Sequence, residues 1–232
     1  TSHPKKADFA VGAGIPGGSL CAVEQKLPKG LPQGRQSLLS AKKGFRMVDL
    51  LELHKYFLSS HLKPGGVAAD FTMGNGNDTL WLSRTVGEEG HVYAFDVQLQ
   101  ALRHTAERLR REHAPANCTL ILDSHSNLKK YIREPLCAGM FNLGYLPGSN
   151  KVRTTRCTTT GKAVEDAIEL LVPGGGLLIA VYPGHEEGRL EGEMLRELLS
   201  AYSRFVYSVS EFRIINSPES PFFFLVERSE RR

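Results

Sequence analysis

The sequence predicts an α/β fold: a doubly wound, mostly parallel sheet of seven strands with an antiparallel edge strand. Three observations lead there. Short apolar runs rich in Val, Ile, Leu and Phe alternate with segments of helical periodicity between residues 48 and 202. Strands that read as continuous apolar runs are buried on both faces, as parallel strands joined by helical crossovers are. The chain then closes on two strand-like segments joined by a short turn, a connection that suits an antiparallel pair at one sheet edge.

Each element has its own signature. Residues 48–61 are apolar at helical spacing, and Pro64-Gly65-Gly66 ends them. Val67 to Phe71 is a short apolar strand, 77–86 a helix, and His91 to Phe95 a second strand. A long helix over 97–113 closes before Pro115, followed by a strand from Cys118 to Leu122 and a short helix over 126–133. Ala138 to Leu143 is the fourth strand. A helix over 158–172 stops at Pro173-Gly174-Gly175-Gly176 and hands over to a strand from Leu177 to Tyr182. A helix over 186–202 precedes the last two strands, Arg204 to Arg213 and Pro221 to Arg228, with a turn at Asn216-Ser217-Pro218. Right-handed crossovers in such a sheet put a ligand at the carboxyl ends of the strands, near the point where strand order reverses. Met140 and Phe141 are expected in the core.

Composition excludes several classes. The 232 residues are 41% hydrophobic and 23% charged, which is neither collagen-like, coiled-coil nor wholly disordered. No apolar run of about 18 residues is present, so no membrane helix is expected. Cys21, Cys118, Cys137 and Cys157 form no CxxC pair and no cluster of zinc spacing. They read as free thiols of a reducing compartment, so a cytoplasmic location and no metal are expected.

The net charge of +4 is unevenly placed. Residues 1–46 carry eight basic and two acidic side chains, a net of +6, while the rest carries 21 basic and 23 acidic, a net of −2. The first 46 residues also hold seven Gly and four Pro without sustained periodicity. The first methionine, Met47, stands where organised sequence begins. The expected division is a flexible basic extension over 1–46, or a product of start-site choice, and a folded domain over 47–232. An organelle leader is a weaker alternative, because arginine is scarce there.

The most informative segment is DFTMGNGNDT, Asp70 to Thr79, between the first sheet strand and a helix. Gly74 and Gly76 permit positive φ and close approach of a ligand, and the helix start offers free N–H groups. Asp96 ends the second strand twenty residues after Gly76, where an acid can accept hydrogen bonds from both hydroxyls of an adenosine ribose. Two cofactor classes use such a site. A dinucleotide wants a third glycine where this chain has Thr79. S-adenosylmethionine has no pyrophosphate and instead needs an acid for its ammonium, where Asp70 stands. After the third strand, Asp123, Ser124 or His125 could meet an adenine amino group, or Ser124 or Ser126 could cap the short helix. The fourth strand runs into FNLGYLPG, which resembles the N-P-P-Y and D-P-P-Y loops of amino-group methyltransferases with Leu143-Gly144 as the middle pair, and the resemblance implies that Asn142 and Tyr145 recognise an amine on a base.

Together these segments resemble one family closely. They are DFTMGNGNDTLWL (70–82), AFDVQ (94–98), SH (124–125), FNLGYLPG (141–148), TTRCTTTGKA (154–163) and VYPGHEEG (181–188). The domain is similar to the YtqB/MnmM group, long labelled "putative rRNA methylase", whose activity is methylation of the 5-aminomethyl group on a tRNA wobble uridine. The resemblance spans residues 47–228 and implies a class I, Rossmann-like methyltransferase fold. It implies S-adenosyl-L-methionine as cofactor, held by Asp70, Thr72, Gly74, Asn75, Gly76, Asn77, Asp78, Thr79, Asp96, Gln98, Ser124, His125 and Asn142. Asn142, Tyr145 and His185 are the implied catalytic residues, and Tyr145, Lys151, Arg153, Thr155, Tyr182 and His185 the implied substrate contacts.

The substrate implied is the anticodon region of a tRNA bearing a (2-thio)uridine. Asn142 would orient the amine, Tyr145 would stack on the base, and His185 or water would take a proton. His185 also reads as the start of a helix, with Glu186 and Glu187 favourable in its first turn. Lys151, Arg153 and Arg156 offer phosphate contacts, or a solvated loop. His54 could reach the cofactor mouth or pack within its helix. Other readings keep the cofactor and change the target to rRNA or another amine, or replace the activity by a nicotinamide-dependent oxidoreductase or a non-catalytic RNA-binding module. A homodimer would enlarge the RNA-binding surface, since the domain itself sums to −2.

Overall fold

The computed structural model describes residues 50–144 and 157–230. They lie in one compact unit, Met47–Arg232. The expected extension over 1–46 and the expected substrate residues Tyr145, Lys151, Arg153 and Thr155 lie outside the described residues.

The chain runs α1 (Leu50–Ser59), β1 (Val67–Asp70), α2 (Asn77–Val86), β2 (His91–Asp96), α3 (Leu99–Arg111), β3 (Cys118–Leu122), a 3-10 helix (His125–Lys130), β4 (Leu136–Leu143), α4 (Cys157–Leu170), β5 (Leu171–Val181), α5 (Glu186–Ser200), β6 (Tyr207–Phe212) and β7 (Phe222–Arg228). The seven strands form one sheet in the order β3-β2-β1-β4-β5-β7-β6. Strands β3 to β5 pair in parallel, and β7 lies antiparallel between β5 and β6. The class expected from sequence is the one observed, with its antiparallel pair at one edge.

Strand order reverses between β1 and β4. β1 continues outward to β2 and β3, whereas β4 pairs on the other side of β1, with Ala68, Ala69 and Asp70 opposite Ala138, Gly139 and Met140. A crevice at the carboxyl ends of β1 and β4 is the ligand position of this architecture.

Period-2 alternation sends apolar side chains to both faces. On one face Phe141, Leu143, Ile179, Val181, Phe222 and Phe224 meet Leu128, α4 (Ala163, Val164, Ala167, Ile168) and α5 (Leu195, Leu199). On the other, Ala138, Met140, Leu178, Ala180 and Phe223 meet Leu58 of α1 and Leu82 and Val86 of α2. Under the crevice the Phe71 ring stacks on Phe141, with centroids 4.3 Å apart, and on Phe95 at 5.9 Å. This gives the loop after β1 a rigid floor.

Two local expectations are corrected. The glycine run after α4 lies inside β5 rather than before it. Leu171 already pairs with Leu136, and the ladder shifts register before Ala138 pairs with Gly176. Gly174 has φ 78, and a Cβ on Gly175 would meet the carbonyl oxygens of Val172, Leu136 and Cys137 at 2.9, 3.1 and 3.2 Å. The run builds a bulge that only glycine fits. The segment after β3 is a six-residue 3-10 helix rather than an α-helix.

Candidate active site

Asp70 ends β1 and is fully buried. Its Oδ1 accepts the Thr72 backbone N–H at 3.1 Å and its Oδ2 the Thr79 hydroxyl at 2.6 Å. Burial, and then the neighbouring Asp78 carboxylate, push its carboxyl up to about 7. Among the described residues no cation contributes to that shift, and a cationic ligand brought to Asp70 would reverse that balance. Thr79 is equally buried. Where a dinucleotide motif needs a bare glycine, this chain packs a side chain that is committed to Asp70.

The loop from Thr72 to Gly76 turns on two positive-φ glycines, Gly74 at φ 50 and Gly76 at φ 75. A Cβ on Gly76 would come within 2.9 Å of the Thr105 Cα, so the loop lies directly against α3. Gly76 is the N-cap of α2 and has no side chain to bond the first-turn N–H groups. The loop is tied outward as well. Thr105 Oγ1 donates to Gly74 O at 3.2 Å, and Arg108 Nε to Asn75 O at 2.6 Å. The Asn75 side chain meets His104 at 3.2 Å.

Asp96 ends β2, with Oδ2 accepting from Gly74 N at 3.1 Å and Oδ1 from Gln98 N at 2.9 Å. Burial pushes its carboxyl up as well. The end of β2 is thereby fastened to the glycine loop, and Asp96 and Asp70 border the same loop.

Asn142 stands two residues beyond Met140, which pairs with Asp70, so β4 delivers it to the same crevice. Its backbone N–H donates to Thr72 Oγ1 at 2.7 Å and its side-chain Nδ2 to Asp78 Oδ2 at 2.9 Å. The other Asp78 oxygen pairs with Lys55 Nζ at 2.7 Å. Lys55, on α1, had no signal in the sequence pattern, and neither did Thr105 or Arg108 on α3.

After β3, Ser124 caps the 3-10 helix by accepting from Ser126 N at 3.2 Å. Asp123 is held by Asn127 Nδ2 and the Tyr131 hydroxyl, both at 2.9 Å, which lowers its pKa. His125 is buried, with Nδ1 3.2 Å from Phe71 O, and burial lowers its pKa. Ser124 and Asp123 thus have structural partners of their own, and the His125 ring stands edge-on to Phe141 beneath the crevice.

His185 is the N-cap of α5, its Nδ1 accepting the Gly188 N–H at 3.0 Å. Tyr182 is half-buried beside Gly144, where an added Cβ would lie 3.7 Å from its ring. The end of β5 therefore borders the end of β4. His54 is buried within α1. The site brings together the ends of β1, β2 and β4, the start of α2 and one residue of α1. Among the described residues no group of three or more His, Cys, Asp or Glu could hold a metal ion.

The chain is similar to several known proteins. The family model described as "Putative rRNA methylase" matches residues 92–228. An Arabidopsis thaliana protein named tRNA (mnm(5)s(2)U34)-methyltransferase, chloroplastic, is 34% identical over 170 residues, 69% of this chain. The aligned part is 62% of that protein, so the chain spans under two thirds of this relative's length. A Clostridium thermocellum structure described as a "putative rRNA-methylase" superimposes with TM-score 0.76 at 36% identity, covering 79% of this chain and 99% of that one. A Streptococcus mutans "putative methyltransferase", solved in complex with SAH, superimposes with TM-score 0.72 at 37% identity over the same shares.

Proposed function

The chain belongs to the rRNA methylase family of S-adenosylmethionine-dependent methyltransferases, and from that premise we propose that it methylates the 5-aminomethyl nitrogen of a (2-thio)uridine at a tRNA wobble position. The observation that carries the proposal is that adjacent strands deliver Asp70 and Asn142 to one loop, the Asn142 N–H bonding Thr72 two residues after Asp70. Neighbouring strands at the reversal point of the sheet bring a buried acid and a primary amide to one crevice. The first suits the ammonium of the cofactor, and the second suits an amine acceptor. The name of the Arabidopsis relative supports the choice of RNA.

The residues present fit S-adenosylmethionine. Asp70 would hold its ammonium, Asp96 its ribose hydroxyls, and the glycine loop would pass close beneath it. When bound, the cofactor supplies a sulfonium methyl whose leaving group is a neutral thioether. What remains for the chain is alignment and exclusion of water. The amine must be unprotonated to offer a lone pair, so a proton leaves before transfer, to water, or to His185 once its Nδ1 releases the Gly188 N–H. The Asn142 carbonyl oxygen then accepts a hydrogen bond from the amine N–H and fixes the direction of the lone pair. Tyr145 would stack on the base, while Lys151, Arg153, Thr155 and Tyr182 would meet the surrounding RNA. A homodimer and a cytoplasmic location complete the proposal. No helix among the described residues is long and apolar enough to cross a membrane.

Mass spectrometry of tRNA nucleosides from a deletion strain tests this. The aminomethyl nucleoside should accumulate and its methylated product should vanish; a normal profile overturns the tRNA assignment. The family's own description favours a second reading, methylation of rRNA. Loss of a methylated rRNA nucleoside from the same strain would establish that reading. Binding of S-adenosylhomocysteine without binding of NAD disposes of the oxidoreductase.

A further inference from the structure

We propose that Lys55 and Asp78 form a positioning pair for Asn142, holding its side-chain amide with the carbonyl oxygen turned toward the substrate amine. The inference rests on the reading of Asn142 as the amine's acceptor and adds two residues, both from helices, Lys55 on α1 and Asp78 on α2. A carboxylate only accepts hydrogen bonds, so the group that Asn142 presents to Asp78 Oδ2 at 2.9 Å is its NH2. A flipped amide would set oxygen against oxygen at that distance. Orientation is therefore imposed by charge, and Oδ1 is directed away from Asp78.

The backbone of Asn142 is fixed independently, because its N–H donates to Thr72 Oγ1 at 2.7 Å. Asp78 is fixed in turn by Lys55, whose Nζ lies 2.7 Å from Oδ1. Lys55 is itself guided by Trp81, with Nζ 5.5 Å from the ring centroid. The pair is shielded, with side-chain exposures of 35% for Lys55 and 18% for Asp78. That makes it firmer than an open surface pair. Contacts therefore run from α1 through the first turn of α2 to the end of β4. Asp78 thus links Lys55, through Oδ1, to the Asn142 amide, through Oδ2.

The test uses the full chain and an anticodon stem–loop RNA carrying 5-aminomethyl-2-thiouridine. Measured at pH 8, above the Asp70 pKa of about 7, Asp78→Asn, whose amide tolerates either orientation of Asn142, is expected to lower kcat by roughly tenfold to a hundredfold, with S-adenosylhomocysteine Kd and RNA KM within about twofold. Lys55→Met should lower kcat by a smaller factor, and Lys55→Arg should recover it. The double variant Lys55→Met/Asp78→Asn should be no slower than Asp78→Asn alone, because the lysine acts through the carboxylate. Losses that appear in cofactor Kd rather than kcat, losses that multiply in the double variant, or wild-type kcat in both single variants would each overturn the pair.

Asn142→Ala keeps the two claims separable. Its inactivity beside a fully active Asp78→Asn sinks only the positioning pair, whereas wild-type turnover in Asn142→Ala sinks the reading on which the pair depends. The Asn142 side-chain amide resonance gives a measure that needs no substrate. Its protection from solvent exchange should be lost in Asp78→Asn and Lys55→Met, and unchanged protection in both overturns the contact.

Discussion

Asp70 is a fully buried carboxyl, and its proton should report ligand binding. With a folded-state pKa of about 7 against an ordinary 3.8, the folded chain holds this proton more tightly than the unfolded chain does. Its contribution to stability therefore falls as pH rises from about 4 to about 7 and is level above that. A bound ammonium favours the ionised form, so the dependence of binding runs the other way. S-adenosylhomocysteine should bind about tenfold more tightly at pH 8 than at pH 6, and Asp70→Asn should flatten the profile. Calorimetry across that range decides it; a flat wild-type profile removes Asp70 from the ammonium site. Asn142→Ala should reduce turnover at least a hundredfold, roughly the cost of losing an oriented polar contact at the reacting atom, while leaving cofactor Kd within about twofold. Single-turnover assays beside calorimetry check it. These two residues were legible because a strand end followed by glycines fixes where a side chain must stand. Lys55 was not, since its meeting with Asp78 depends on how α1 packs beside α2, and helical periodicity carries no such information. The third-glycine position was half legible. Thr79 argued against a dinucleotide, but its bond to Asp70 required the structure.

At the scale of elements, the start of α2 and the start of α5 solve one problem in opposite ways. Gly76 leaves the first turn of α2 without a side-chain cap, which suits a ligand, whereas His185 caps α5 from its own ring. Gly76→Ala adds a Cβ 2.9 Å from the Thr105 Cα at a φ of 75. Strain at such a position costs about 1–3 kcal/mol, and the displaced loop should also weaken S-adenosylhomocysteine binding. Urea denaturation beside calorimetry measures both, and an unchanged midpoint would show that α3 yields. His185→Ala should cost about 1 kcal/mol as a lost cap, and His185→Asn should recover most of it. If the asparagine variant is as unstable as the alanine variant, the cap is not what His185 contributes to stability. Element order was readable because strand and helix periods differ throughout the chain. The bulge in β5 was not, because Pro173-Gly174-Gly175-Gly176 is the composition of a turn. Only the pairing of Leu171 with Leu136 shows that the strand begins before it.

At the scale of the molecule the question is how a domain summing to −2 would hold the proposed RNA substrate. Many of its basic groups are committed to acids. Lys129 meets Asp166 and Glu169, Arg189 meets Glu193, and Arg196 meets Glu211. Exposed arginines do gather on α3, at Arg103, Arg110 and Arg111, but Glu107 and Glu112 stand among them. The large basic surplus is in residues 1–46, at +6. We propose that this segment acts as a basic arm that adds sequence-independent RNA affinity to a fold that is complete from Met47. Each phosphate neutralised releases condensed counterions, so the logarithm of affinity falls with the logarithm of salt by about 0.7 per contact on single-stranded RNA. Six engaged cations would therefore steepen the slope by about four. A chain beginning at Met47 should fold, keep its turnover at saturating RNA, and show a shallower salt dependence, with the two affinities converging at high salt. Filter binding of both forms across a salt series measures this. Equal slopes would leave RNA binding to local clusters in the domain, and loss of folding on truncation would place residues 1–46 inside the fold.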